Sequence, residues 1–148
     1  MYQHILVPTD GSKLATKAIR SAAKLAKGFG AKLTGVYVIP PYVPPMYSEG
    51  AMYAPAAGPE AYRKLMEREA KKALAAVEVE AQTAGIGCKT ASVTSEQPWQ
   101  GIIRVAKAKH CDLIVMASHG RRGLAGLLLG SETTKVLTHS KTPVLVCR

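Results

Sequence analysis

The sequence predicts a single α/β domain, with a parallel five-stranded sheet covered by helices on both faces. Three observations predict it. Short aliphatic runs alternate with helical patterns along the chain, as strand–helix–strand units require. The length, 148 residues, suits one domain and a sizeable core, with no need of disulfides or a structural metal. Apolar residues make up 47%, yet only one Phe and one Trp occur, so the core is aliphatic.

Ile5-Leu6-Val7 reads as a first strand, ended by Pro8. Ser12 then caps a helix whose Ala15, Ala18, Ile19, Ala22 and Leu25 recur at helical spacing. Lys13, Lys17, Arg20, Lys24 and Lys27 fall on the opposite, solvated face, and Gly28 and Gly30 end the helix. Leu33 to Ile39 is the second strand. Residues 40–58 break the alternation with three Tyr and two Met, and read as a packed flap or partner surface. Pro59-Glu60 opens a long helix to about Ala84, with Tyr62, Met66, Ala70, Ala73 and Val77 as its apolar stripe. Gly85-Ile86-Gly87 stops it, and Cys88 to Val93 is the third strand. Pro98 opens a helix with Trp99, Ile102, Ile103 and Ala106 facing inward. Then follow a strand at 113–116, a glycine loop, a helix from Ser131 to about Ser140 and a last strand at Val144–Cys147.

Five strands of this kind fit the flavodoxin-like order 3-2-1-4-5. Strands 1 and 4 are then neighbours at the switch point, where ligands bind outside the strand C-termini. This places Asp10 beside the segment 117–123. Asp10 is one of only two aspartates in the chain. It can be a turn residue before the helix or a ligand. Asp112, at a strand start, reads as structural.

The stretch Cys111-Asp112-Leu113-Ile114-Val115-Met116-Ala117-Ser118-His119-Gly120-Arg121-Arg122-Gly123, continuing to Leu129-Gly130-Ser131-Glu132-Thr133, is the most informative. A buried strand runs into a glycine loop and then a helix start. Backbone N–H groups and a helix N-terminus together make a phosphate cradle. The spacing fits neither G-x-x-x-x-G-K-[ST] nor G-x-G-x-x-G. Glycines at 120, 123, 126 and 130 exceed what one turn at positive φ needs.

At these residues the chain resembles the universal stress protein family, from Ile5-Leu6-Val7-Pro8-Thr9-Asp10-Gly11-Ser12 to Thr142-Pro143-Val144-Leu145-Val146. Nucleotide-binding members carry G-x2-G-x9-G-[ST] in the late loop. Gly120, Gly130 and Ser131 match it with the spacer intact, while Ala117 replaces the first glycine. The resemblance implies an adenine-nucleotide site, for ATP, ADP or AMP, formed by Pro8, Thr9, Asp10, Val38, Ala117, Ser118, His119, Gly120, Arg121, Arg122, Gly123, Gly130, Ser131, Glu132 and Thr133. In it Asp10 serves the adenosine part and the Val38 backbone the adenine. Ser118, His119, Gly120 and Gly123 line the phosphates, with charge-assisted contacts from Arg121 and Arg122. Ser131 is an N-cap and a ligand for phosphate or nucleotide-bound Mg. Glu132 suits the helix dipole but opposes phosphate unless a divalent ion intervenes. Ala117 keeps its N–H and follows an extended strand, so negative φ is expected there.

The net charge of +10 is unevenly placed. Residues 11–48 carry six basic and no acidic residues, 97–148 carry eight against two, and 59–84 are balanced at five each. The excess flanks the expected nucleotide site. No aromatic interleaving or nucleic-acid motif accompanies it, so nucleic acid is not an expected partner. Cys88, Cys111 and Cys147 read as reduced thiols of a cytoplasmic protein. No apolar run reaches a membrane span, and the first residues leave no room for a signal peptide. There is no Ser/His/Asp order, no metal cluster and no catalytic residue set. His119 reads as a hydrogen-bond donor. Three functions compete: a nucleotide-binding stress module without fast chemistry, a dimeric interaction module with a vestigial pocket, and a slow ATPase. The apolar edge strand Val144-Leu145-Val146-Cys147 predicts a homodimer, which the resemblance also implies.

Overall fold

The computed structural model describes residues 1–44, 58–121 and 129–148. The elements run β1 His4–Pro8, α1 Lys13–Phe29, β2 Lys32–Ile39, α2 Pro59–Ala84, β3 Cys88–Thr94, α3 Pro98–Ala108, β4 Leu113–Ala117, α4 Ser131–His139 and β5 Val144–Cys147. All strands are parallel, in the order β3-β2-β1-β4-β5, as the alternation of patterns predicts.

Each helix begins and ends for a local reason. Ser12 caps α1 by accepting a hydrogen bond from the Ala15 N–H, and Gly30 closes it in the left-handed region at φ 66°. Pro59 and Pro98 sit in the first turns of α2 and α3, where a missing N–H costs nothing. Gly85 closes α2 at φ 70°.

The core lies in two layers. On one face Ile5, Val7, Leu33, Leu113 and Val115 pack against Ile19, Ala22, Ala23 and Ala26 of α1 and Val77 and Ala81 of α2. On the other, Leu6, Val36, Ile114 and Met116 pack against Ile102, Val105 and Ala106 of α3 and Val136 of α4. In α3 it is Val105 that is buried with Ile102, while Ile103 is only half-buried. The i, i+3, i+4 row through 102, 105 and 106 faces the sheet, and 103 lies about 100° round from 102. On α2 the stripe continues through Leu74, and Tyr37 packs on Ala70, Ala73 and Leu74. The tight fit at this interface has a cause in β2: a Cβ on Gly35 would stand 2.9 Å from Val77. Before the undescribed residues 45–57, Tyr42 packs on Tyr62 at 5.5 Å, and Tyr62 donates its hydroxyl hydrogen to the Pro40 carbonyl. The rest of the expected flap lies outside the described residues.

The sheet opens where the site was expected. The β1–β2 pairs continue to Pro8–Val36, and the Thr9 N–H donates to the Val36 carbonyl. The β4–β5 pairs continue to Ala117–Cys147, and the Ser118 N–H donates to the Cys147 carbonyl. The β1–β4 pairs stop at Leu6–Ile114. Past that row each central strand follows its outer neighbour, leaving a crevice between their C-terminal ends. At the N-terminal ends the same two strands are clamped. Asp112 accepts hydrogen bonds from the N–H groups of Gln3 (2.8 Å) and His4 (2.9 Å), and its own N–H donates to the His4 carbonyl.

His4 is buried, with Nε2 2.7 Å from the Thr34 hydroxyl. Burial, with Lys32 nearby, holds its pKa below the ordinary histidine value. Desolvation pushes the Asp112 carboxyl up, but the hydrogen bonds from Gln3 and His4 outweigh it and leave the net shift downward. Acid should therefore weaken the fold in two stages. The unfolded chain takes up a histidine proton near pH ~6.5 that the fold resists, so stability falls as pH drops below that value. The Asp112 contribution is complete above the unfolded carboxyl value of ~3.9 and is lost as pH falls through its lower folded value. Urea midpoints across this range test the account. His4→Gln should flatten the decline just below pH ~6.5, and an unchanged slope there would contradict it.

Candidate functional site

The loops after β1 and β4 meet across the crevice. Asp10 is the link. Its Oδ1 accepts from the Ser12 N–H at 2.9 Å, and its Oδ2 accepts from the Arg121 N–H at 2.7 Å. The first is the local turn contact of an aspartate before a helix. The second spans 111 residues of sequence and ties the two loops together. So Asp10 is the turn former its position allows and also ties the β4 loop to it. Thr9 is buried and its hydroxyl accepts from the Gly11 N–H, while Pro8 ends β1 half-buried.

Glycine leaves space at two loop positions where a side chain would crowd its neighbours. Neither Gly120 nor Gly130 has positive φ; among described glycines only Gly11, Gly30 and Gly85 do. A Cβ on Gly120 would stand 2.5 Å from Asp10 Oδ2. A Cβ on Gly130 would stand 3.2 Å from both His119 Cα and the Ser118 carbonyl oxygen. The Gly130 N–H donates to that carbonyl at 2.6 Å, closing the loop on itself. The nine-residue spacer is thus the length of a closed loop whose two ends touch.

Ala117 ends β4 with φ outside the left-handed region, since His110 is the one non-glycine residue with positive φ among those described. Its carbonyl accepts from the buried Thr133 hydroxyl at 2.9 Å, which docks α4 onto the end of β4. Ser118 is buried, with Oγ 2.7 Å from His119 Nδ1.

Several expected roles change. The N-cap of α4 is Gly130, with extended backbone and no side-chain cap; Ser131 is the first helical residue and is exposed. Among the described residues no side chain caps the N–H groups of the first turn. Glu132 turns away from them. Its Oε2 accepts from the Trp99 N–H at 2.9 Å, in the first turn of α3, and Lys135 Nζ lies 3.2 Å from Oε1. A carboxylate at an N-terminal turn is favourable there, and it takes negative charge out of the loop. The Thr133 hydroxyl is committed to Ala117. Val38 lies two residues past the last β1–β2 pair, with its side chain packed under Gly101 of α3. Arg122 and Gly123 lie outside the described residues. Among the described residues no cluster of three His, Cys, Asp or Glu could hold a metal ion.

Glu69, on α2, is a site neighbour the sequence did not reveal. Its Oε2 lies 3.7 Å from Arg121 Nη2. Glu69 and Arg121 are 52 residues apart in sequence, so no local pattern could pair them.

The fold and site define a doubly wound α/β protein whose switch point carries a closed glycine loop, an uncapped helix start and a bridging aspartate. A sequence model of the Universal stress protein family matches residues 1–148, and the chain belongs to that family. It is 34% identical over its whole length to Universal stress protein YxiE of Bacillus subtilis, covering all of that protein. It is also 34% identical to Universal stress protein MJ0531 of Methanocaldococcus jannaschii, with 100% of this chain and 83% of that one covered. Among solved structures, Universal stress protein UspA from Lactobacillus plantarum superposes with a TM-score of 0.78 at 28% identity, over 99% of this chain and 98% of the other. Two further universal stress proteins, described as complexes with cAMP and with dAMP, share the fold at TM-scores of 0.69 and 0.71 and identities of 24% and 19%. No helix among the described residues is long and apolar enough to cross a membrane.

Replacing Gly120 by Ala should cost about 1–2 kcal/mol, because the new methyl displaces a carboxylate held by two N–H groups. The cost should fall by at least half in an Asp10→Ala background. Chemical denaturation of the four proteins measures this coupling; additive costs would mean that the Gly120 constraint lies elsewhere.

Proposed function

We propose that the chain is a stress-response module that binds an adenine nucleotide, ATP foremost, at the crevice after β1 and β4, without fast catalysis. The observation that carries this reading is the first turn of α4, which has no side-chain cap at Gly130 and starts where the Gly130 N–H meets the Ser118 carbonyl at 2.6 Å, at the crevice that Asp10 bridges. N–H groups at such a helix start favour phosphate. The excess of basic residues in 11–48 and 97–148 adds attraction for anions. Membership of a family with nucleotide-binding members supports the same choice.

In this reading the phosphates lie against the N–H groups of His119, Gly120 and the first turn of α4, with Arg121, Arg122 and Gly123 alongside. Asp10 takes the adenosine side, flanked by Pro8 and Thr9, and the Val38 backbone takes the adenine. Mg, when bound with the nucleotide, would be held by phosphate oxygens and the exposed Ser131 hydroxyl. The retreat of the Glu132 carboxylate toward α3 suits an anionic ligand. Ala117 is compatible with binding, because negative φ keeps its backbone in the strand and leaves only a methyl group added. Ser118–His119 is a hydrogen-bonded pair that orients the loop. Among the described residues the Asp10 carboxylate is taken by the Ser12 and Arg121 N–H groups and that of Glu132 by the Trp99 N–H, so neither is arranged to activate water. The protein acts in the cytoplasm as a homodimer.

The dimer rests on a separate observation. β5 is a sheet edge, and Leu145 on it is 38% exposed. Beside it lies an apolar groove of about 420 Å³ lined by Tyr2, Leu25, Phe29, Val144, Leu145 and Val146, among others. The groove lies at the N-terminal ends of the strands, away from the crevice. An open strand edge beside apolar surface favours a second copy.

Isothermal titration with Mg-ATP should give a micromolar dissociation constant. Gly130→Val should abolish binding, Ala117→Gly should improve it modestly, and steady phosphate release should stay below about one per second. Absence of heat at millimolar Mg-ATP in the natural sequence, with binding restored in Ala117→Gly, would favour the interaction module with a vestigial pocket. Light scattering should give a dimer that Val146→Pro weakens by removing a ladder N–H; a monomer at micromolar concentration would remove the dimer from this reading.

A further inference from the structure

We propose that Glu69 sets the phosphate preference of this site by holding Arg121 against α2, so that a polyphosphate must compete with a carboxylate for the guanidinium. The inference rests on the nucleotide reading above and adds a residue on α2 to it.

Arg121 is held twice. Asp10 accepts from its backbone N–H at 2.7 Å, which fixes the start of the loop. Its side chain crosses the loop after β1 and reaches Glu69. The crossing leaves a mark on the backbone below: a Cβ on Gly11 would stand 3.0 Å from Arg121 Nη2. Gly11 also has φ +79°, so glycine is doubly suited there. The buried Tyr37 ring lies in the same patch. Burial raises its phenol pKa; the Arg121 charge lowers it, and those of Glu69 and Asp10 raise it.

The pair is built to yield. At 3.7 Å it is an ion pair beyond hydrogen-bond length, and the side chains are 53% and 36% exposed. Such pairs are weak, so a strong anion at the loop can draw Arg121 away. The energy recovered by drawing it away grows with the negative charge of the ligand. A triphosphate is charged enough to draw Arg121 away and must break the pair, whereas a monophosphate that leaves Arg121 in place loses less to Glu69. Neutralising Glu69 should favour ATP over AMP, and the effect should pass through Arg121.

Isothermal titration with ATP and with AMP on four proteins tests this: the natural sequence, Glu69→Gln, Arg121→Gln and the double variant. Glu69→Gln keeps shape and removes only charge, and thermal melts check that each variant is folded. Glu69→Gln should tighten ATP about three-fold, within the range of an exposed ion pair, and AMP by less than half as much. In the Arg121→Gln background the gain should disappear. Binding of ATP by Glu69→Gln alone would support the proposal in its strongest form, with the pair closing the site. Equal tightening of both ligands, or the same gain without Arg121, would overturn it while leaving the nucleotide site intact. No binding by the natural sequence and by Glu69→Gln alike would overturn both.

Discussion

The seam between β1 and β4 is the constraint on which the rest of this structure depends. These central strands share only two paired rows, Ile5–Leu113 and Leu6–Ile114, whereas β2 and β3 share seven. The chain has two aspartates, and both bridge this seam. Asp112 joins the strand starts through the Gln3 and His4 N–H groups. Asp10 joins the strand ends through the Arg121 N–H. A carboxylate receiving two backbone N–H groups is a charge-assisted contact, stronger than a neutral ladder bond. The seam is thus clamped at both ends and splayed at one, and the splayed end is the crevice.

The loop after β4 follows from that geometry. Its start is fixed by Asp10, its end by the Gly130–Ser118 hydrogen bond and by Thr133 on Ala117. A methyl group at 120 would displace the Asp10 carboxylate, and one at 130 would crowd the His119 and Ser118 backbone at 3.2 Å. At 117 there is no such demand, because the residue still belongs to the strand, and alanine stands there without backbone strain. The motif's glycines therefore answer different needs. The Glu132 carboxylate, by capping α3, joins the two helices of one sheet face and clears negative charge from the start of α4. One side chain links packing to the electrostatics of the site.

Most of the fold was legible because its signals are local. Aliphatic runs marked the strands, Ser12, Pro59 and Pro98 marked helix starts, and Gly30 and Gly85 marked helix ends. The strand order followed from alternation, and it placed Asp10 beside the late loop before any contact was known. What escaped were partners distant in sequence. Glu132 to Trp99 spans 33 residues, Glu69 to Arg121 more, and nothing in the local pattern of α2 marks Glu69 among its acidic neighbours. α4 starts at Ser131 as expected, but its cap is Gly130, where a side chain would crowd the Ser118 carbonyl, and not Ser131, although Ser is the commoner cap. Ile103 looked like core because hydrophobicity does not say which of two adjacent isoleucines faces the sheet.

The central claim is that the splayed end of the β1–β4 seam is the ligand site. The direct measurement is an amide NMR titration of the assigned protein with Mg-ATP, mapping shift changes residue by residue. The account predicts the largest changes at Asp10, His119, Gly120, Arg121 and the Gly130–Thr133 turn, with the Tyr2, Phe29 and Leu145 groove unchanged. Changes concentrated at that groove, or saturating changes that bypass Asp10 and the start of α4, would contradict it.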